Sequence, residues 1–92
     1  MNNTIWKFEL ETIDNQTIKI PVGGEILTIQ TQNGMPCLWA LVDSNADKED
    51  RFIEIYGTGH FIRQDENVNR KYIGTYQLGG SLVFHVFEHL IK

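Results

Sequence analysis

The sequence predicts an all-β fold: a single small antiparallel β-sandwich or barrel of about seven strands built from hairpins. Short segments in which apolar and polar residues alternate indicate strands with one buried face. Turn pairs such as Asn-Gly and Gly-Gly separate these segments, and no stretch shows the apolar spacing of an amphipathic helix. A chain of 92 residues has room for one core, so residues 1–92 are expected to form one β domain.

The first third of the chain contains two segments with clean alternation. Ile5–Glu11 and Gln16–Ile20 each place their large apolar side chains on one face, as strands do. The turn pair Asp14-Asn15 lies between them. We therefore expect these two segments to form a hairpin.

The strongest local signal is the hairpin around Asn33-Gly34, a pair that favours a two-residue type I′ turn. Such a turn gives a mixed face with the pairs Gln32–Met35, Gln30–Cys37, Thr28–Trp39 and Ile26–Leu41. It gives an aliphatic core face with the pairs Thr31–Pro36, Ile29–Leu38 and Leu27–Ala40. The mixed face carries both apolar and polar side chains. Three arrangements are possible for it: a second sheet covers it, a ligand or partner contacts it, or it mediates self-association.

The middle of the chain is predicted to form a loop, a strand and a second loop. Ser44–Asp50 is polar and is expected to be an exposed loop, whereas Arg51–Tyr56 alternates as a strand. The inward residues of that strand are Ile53 and Ile55, and the outward ones are Phe52, Glu54 and Tyr56. Gln64–Lys71 is the most polar stretch and is expected to be a mobile loop.

The last segment, Tyr72 to Glu88, predicts a hairpin around Gly79-Gly80. A two-residue turn pairs Tyr76–Val83, Gly74–His85 and Tyr72–Phe87 on one face, and Thr75–Phe84 and Ile73–Val86 on the other. Val83–Phe87 is apolar on both sides except at His85, which is typical of a central strand.

Charge and composition exclude several classes of function. The net charge of −4 and the pI near 5.2 argue against sequence-independent binding of nucleic acid, which requires a basic surface. The single cysteine, Cys37, does not call for an oxidising compartment. Neither a leader peptide nor an apolar run of membrane-spanning length is seen, so we expect a cytoplasmic protein without a membrane partner.

Metal binding and catalysis find little support in the sequence. The candidate ligands Cys37, His60, His85 and His89 lack metal-site spacing, so no metal and no cofactor are predicted. Neither serine lies in a nucleophile-elbow pattern, and no catalytic residue is assigned. The sequence favours a protein that is not an enzyme, with a small hydrolase using His60 or His85 as base as an alternative.

A possible ligand site follows the middle strand. In Gly57-Thr58-Gly59-His60, two glycines could let backbone amides form an anion nest, or could mark a turn with positive φ at both glycines. Cations and an aromatic residue concentrate nearby, at Tyr56, Arg63, Arg70 and Lys71. These eight residues are the predicted ligand-binding set.

Several phrases together resemble a small family of phage and prophage proteins, a domain of unknown function. They are Ile5-Trp6-Lys7-Phe8, QTQNGMPCLWAL at 30–41, IYGTGH at 55–60, Tyr72-Ile73-Gly74-Thr75 and VFHVFE at 83–88. The resemblance implies a phage setting, in which small accessory proteins often act against host defences by binding a defence protein or sequestering a nucleotide signal.

The leading hypothesis is a non-catalytic, homo-oligomeric binder of a small anionic, nucleotide-like ligand in the host cytoplasm. Amides at Gly57–His60 and the side chains of Arg63, Arg70 and Lys71 would contact phosphates. Tyr56 or Trp39 would stack a base. The alternative is a protein-interaction or structural module whose interface residues are Trp39, Gln30 and Thr28.

Overall fold

The computed structural model describes residues 2–64 and 68–91, and strands dominate that part of the chain. Its strands are β1 (Asn3–Glu9), β2 (Asn15–Pro21), β3 (Glu25–Gln32), β4 (Met35–Asp43), β5 (Lys48–Gly57), β6 (Val68–Leu78) and β7 (Leu82–Ile91). They form a three-stranded sheet of order β1-β4-β3 and a four-stranded sheet of order β2-β5-β7-β6, and every pairing is antiparallel. The predicted all-β fold is confirmed, and of the two architectures it is the sandwich.

The core lies between the inward faces of the two sheets. The three-stranded side contributes Ile29, Leu38, Ala40 and Val42, and the four-stranded side contributes Ile53, Ile55, Tyr76 and Val86. Leu10 and Ile20 complete this buried cluster. The two-residue period of each strand places these side chains on one face, so their burial excludes water from both sheets at once.

The β3–β4 hairpin has the predicted turn and most of the predicted register. Asn33 (φ 54°) and Gly34 (φ 77°) both have positive φ, as a type I′ turn requires. The pairs from Gln32–Met35 to Thr28–Trp39 are confirmed. Beyond Thr28 a register shift brings Ile26 opposite Ala40, so the predicted pairs Ile26–Leu41 and Leu27–Ala40 are wrong.

The predicted hairpin of the first two segments is wrong. β1 pairs with β4, whereas β2 pairs with β5 in the other sheet. The connection crosses between the sheets and is anchored at each end. The Leu10 amide donates to the Pro36 carbonyl at 2.9 Å, and the Ile55 amide donates to the Asp14 carbonyl at 3.0 Å.

The β6–β7 hairpin has a longer turn than predicted. Leu78 pairs with Leu82, so the connection is the three residues Gly79, Gly80 and Ser81, and the glycines have positive φ. The pairing moves by one residue, and four predicted pairs are wrong, namely Tyr76–Val83, Gly74–His85, Thr75–Phe84 and Ile73–Val86. A bulge between Tyr72 and Gly74 then restores the predicted pair Tyr72–Phe87.

The two polar segments predicted as loops are shorter than expected. β5 begins at Lys48, inside the expected loop Ser44–Asp50. β6 begins at Val68, so the part of Gln64–Lys71 from Val68 onward is strand, and residues 65–67 lie outside the described residues. β7 lies between β5 and β6, which confirms the predicted central strand.

Candidate functional site

A groove of about 390 Å³ opens at one end of the sandwich, between the chain that follows β5 and the β6–β7 turn. It is lined by Gly57, Thr58, His60, Ser81, Leu82, Val83 and Phe84. Residues with a hydroxyl group or an imidazole therefore line the same space as residues with aliphatic or aromatic side chains. A smaller depression of about 60 Å³ shares Gly57, His60 and Phe84 with this groove.

The Gly57–His60 segment is a tight turn whose amides are largely used within the protein. The Thr58 amide donates to the Val83 carbonyl at 3.3 Å, and the His60 amide donates to the Gly57 carbonyl at 3.1 Å. Only one of the two glycines has the predicted positive φ, Gly59 at 88°. Gly57 instead allows close approach, because a Cβ there would lie 2.9 Å from Cε1 of His60. The His60 imidazole is thereby held against the backbone at the edge of the groove.

A chain of side-chain hydrogen bonds runs from the groove across the outer face of the four-stranded sheet. The Thr58 hydroxyl is 2.7 Å from Nε2 of His85, and Nδ1 of His85 is 3.0 Å from the Thr75 hydroxyl. The Tyr72 hydroxyl is in turn hydrogen-bonded to that of Thr75. Because both ring nitrogens of His85 are engaged, the ring is held in one orientation.

A second polar cluster on the same outer face is centred on Glu54, whose exposure is only 2%. Arg63 donates to one carboxylate oxygen at 2.8 Å, and Arg70 donates to the other at 2.5 Å. His89 Nδ1 lies 3.2 Å from the first oxygen, and the Tyr56 hydroxyl donates to the second at 3.2 Å. The guanidinium of Arg63 also lies 5.2 Å from the Tyr56 ring centroid.

The protonation of Glu54 reflects two opposing effects. Burial raises the pKa of its carboxyl group, but hydrogen bonds from Arg70 and Arg63 outweigh burial and hold that pKa below its ordinary value. The same hydrogen bonds to Glu54 raise the pKa of each arginine. The cluster is therefore a charged one, with one carboxylate between two guanidinium groups.

The structure divides the predicted ligand-binding residues between these places. Those that line the groove are Gly57, Thr58 and His60. Those that belong to the Glu54 cluster are Tyr56, Arg63 and Arg70. Lys71 is exposed on β6, and Gly59 is exposed in the turn. The Tyr56 ring is 5% exposed, so stacking a base on it would first require the side chains around it to move.

Sequence reasoning missed the opposite wall of the groove and the role of Glu54. Ser81, Leu82 and Phe84 reach the groove only because β6 and β7 turn back beside the end of β5. The Gly79-Gly80 pair was a usable signal, since it indicated a turn from which these residues follow. The sequence gives no such signal for Glu54. The alternation of apolar and polar residues predicts that Glu54 lies on the outward face of its strand, but it does not predict which side chains cover that face.

The predicted interface residues Trp39, Gln30 and Thr28 share the outer face of the three-stranded sheet. The second sheet covers the aliphatic face instead, so the idea that it covers the mixed face is wrong. Trp39 is half-buried in its own sheet, between Lys7 of β1 and Thr28 of β3. Cys37 on this face is 1% exposed, and its thiol donates to the Met35 carbonyl at 3.4 Å.

The described part of the chain has neither a metal-binding cluster nor a membrane-spanning helix. Over residues 2–64 and 68–91, no group of three or more His, Cys, Asp or Glu side chains is arranged to hold a metal ion. The described part of the chain also has no helix that is long and apolar enough to cross a membrane.

Comparison with known proteins agrees with the resemblance at the level of an uncharacterised family. Searches of curated proteins and of solved structures find no match to this chain. A family model described as "Domain of unknown function (DUF7352)" matches residues 1–91, which include both sheets, the groove and the Glu54 cluster. The chain with this sandwich and end groove therefore belongs to the DUF7352 family.

Proposed function

We propose that this protein binds a small anionic, nucleotide-like ligand in the end groove and acts by holding it rather than by converting it. The observation that carries the proposal is the groove itself, whose volume of about 390 Å³ falls in the range of small-molecule sites. Three of the predicted ligand residues line it, which links the sequence signal to a concave surface.

The lining suits a ligand with one polar and one flat apolar part. Thr58, His60 and Ser81 offer hydrogen-bond donors for the anionic group, and Leu82 and Phe84 offer carbon surface for a ring. Arg63 and Arg70 bind Glu54 and do not line the groove, so an anion held in the groove lies beside other residues. We therefore assign the anion to the hydroxyl groups and His60, and not to the arginines.

The biological setting of the proposal comes from the resemblance to phage and prophage proteins. In that setting the protein would be a homo-oligomeric accessory protein in the host cytoplasm that sequesters a nucleotide signal of the host defence. Native mass spectrometry of protein purified from infected cells would report its oligomeric state and any ligand it carries.

The binding proposal is tested by calorimetry against mononucleotides, linear and cyclic dinucleotides and inorganic phosphate. We expect one nucleotide to bind, and His60→Ala or Ser81→Ala to weaken binding about tenfold, as loss of a hydrogen bond to a charged group does. Lys71→Ala is the matched control, because Lys71 is exposed on β6 and does not line the groove. The proposal fails if no member of the panel binds, or if Lys71→Ala weakens binding as much as His60→Ala does.

A second candidate function, a protein-interaction module, is favoured by the outer face of the three-stranded sheet. Ile5 on this face is 57% exposed, and the adjacent Leu41 and Trp39 are only half-buried. We expect Trp39→Ala to abolish capture of a partner from host lysate, whereas Lys19→Ala on the other sheet should not. If Trp39→Ala changes neither capture nor oligomeric state, this function is excluded.

A further inference from the structure

The side chains beside the groove form an arrangement that ligand binding alone does not require. Thr58 lines the groove, and its hydroxyl oxygen is 2.7 Å from Nε2 of His85. On the far side of the ring, Nδ1 is 3.0 Å from the hydroxyl of Thr75, which is hydrogen-bonded to Tyr72. Three different parts of the chain supply these groups: the turn after β5, β7 and β6.

This arrangement has the geometry of an activated nucleophile. Such a site needs a hydroxyl within about 2.6–3.2 Å of a base, and a third group that orients the base. When Nδ1 of His85 carries the proton and donates it to Thr75, the lone pair of Nε2 faces the Thr58 hydroxyl. Thr75 and Tyr72 are then positioning residues, since they act only through the ring of His85.

We propose that Thr58 is a nucleophile and His85 its general base in acyl transfer from a carboxylic ester bound in the groove. The Thr58 oxygen forms a bond to the ester carbonyl carbon while its proton moves to Nε2 of His85. The bond from that carbon to the leaving alkoxide breaks, and the alkoxide takes the proton from His85. Water then gives a proton to His85 and attacks the acyl group, and Thr58 recovers its proton as the acid leaves.

The groove supplies the other groups that the reaction needs. His60 and Ser81 line it together with Thr58 and offer donors for the oxygen that becomes negative during the attack. Leu82 and Phe84 provide an apolar wall for the acyl chain. The inference shares the groove with the proposed binding function but goes beyond it, because it does not depend on a nucleotide ligand.

The test uses 4-nitrophenyl acetate as the probe, with release of 4-nitrophenolate and peptide mass spectrometry as readouts. We expect an acetyl group on residue 58 and turnover that falls about 100-fold in Thr58→Val and in His85→Gln, the loss typical of removing a nucleophile or a general base. Thr58→Ser should retain the acetyl adduct. Thr17→Val, at an exposed threonine of β2, is the matched control, and circular dichroism checks the fold of each variant.

The outcomes are distinguishable from those of the binding experiment. The assignment of Thr58 as the nucleophile is wrong if Thr58→Val turns over the ester as fast as the unmodified protein does. It is also wrong if acetylation is confined to lysines. The absence of any turnover overturns it as well, and nucleotide binding by calorimetry would then leave the groove as a binding site only. Acetylation of Thr58 without binding of any nucleotide would instead support the hydrolase and reject the binder.

Discussion

At the scale of the residue, Glu54 is a buried carboxylate with four side-chain partners. Burying an unpaired carboxylate to 2% exposure would destabilise the folded protein by roughly several kcal/mol, because the charge loses its hydration. Two arginines, a tyrosine and a histidine surround it and satisfy both oxygens. Removal of its charge would leave two guanidinium groups close together without the anion between them. The carboxylate therefore stabilises the fold, even though it lies on a sheet's outer face.

We predict that Glu54→Gln lowers the free energy of unfolding by about 3 kcal/mol at pH 7, as loss of one partner of a buried ion pair does. The pKa of Glu54 is lower in the folded protein than its ordinary value of 4.5. Its stabilisation is therefore complete above that value and is lost as the pH falls through the lowered pKa. Urea unfolding between pH 7 and pH 3 measures this dependence.

In Glu54→Gln the fall in stability below pH 4.5 should be shallower than in the unmodified protein. Glu9→Gln, at an exposed carboxylate of β1, is the control and should change stability by less than about 0.5 kcal/mol. An identical pH dependence in Glu54→Gln and the unmodified protein would contradict this account of the cluster.

At the scale of the element, β6 joins the two sheets on one side because it packs closely against β3. A Cβ added at Gly74 of β6 would lie 2.6 Å from Cγ2 of Ile29, a branched carbon close to the β3 backbone. The bulge at the preceding residue sets this register and turns Tyr76 into the core, where it is 3% exposed. The absence of a side chain at Gly74 is what permits the close contact.

Gly74→Ala should therefore lower the free energy of unfolding by roughly 1–3 kcal/mol, the usual cost of overpacking. In the background of Ile29→Ala, which removes the clashing carbon, the same substitution should cost much less. Chemical unfolding of the four proteins of this cycle gives the coupling energy. Equal costs in both backgrounds would show that the contact does not limit the packing of β6 on β3. Gln77→Ala, at an exposed position of the same strand, is the control.

At the scale of the whole molecule, an ion pair inside the sandwich connects the two sheets. Arg51 of β5 donates two hydrogen bonds to Glu88 of β7, and the exposures of their side chains are 17% and 6%. The same guanidinium donates to the Gly24 carbonyl at 2.8 Å, just before β3 of the other sheet. The hydrogen bond to Glu88 raises the pKa of Arg51, so the guanidinium keeps its proton.

We predict that Arg51→Leu lowers the free energy of unfolding by about 3–5 kcal/mol, because Glu88 would remain buried without this partner. The double variant Arg51→Leu, Glu88→Leu should recover at least about 2 kcal/mol of that loss, since an apolar pair of similar size needs no hydration. Thermal unfolding distinguishes the two variants. Lys19→Ala, which removes an exposed ion pair with Asp50, should cost less than about 1 kcal/mol. A double variant less stable than Arg51→Leu would contradict the prediction.

The sequence predicts the parts of the site that are formed by residues close together in the chain, and it does not predict the parts formed by strand pairing. Gly57, Thr58 and His60 could be selected because a turn after a strand is visible in the sequence. The wall formed by Ser81, Leu82 and Phe84 could not, because it depends on the pairing of β5 with β7. Thr75 lies opposite His85 because the longer β6–β7 turn shifts the pairing of β6 with β7 by one residue from the predicted register. Thr58 lies beside His85 because β5 pairs with β7.

The sequence by itself determined the all-β class, the central place of β7 and the turn at Asn33-Gly34, because alternation and turn chemistry act between neighbours in the chain. Only the tertiary structure decided that β1 and β2 belong to different sheets and that Glu54 is buried on an outer face. Both depend on contacts between segments far apart in sequence. A period of two residues predicts which face a side chain takes, but not which strand lies beside it or what covers it.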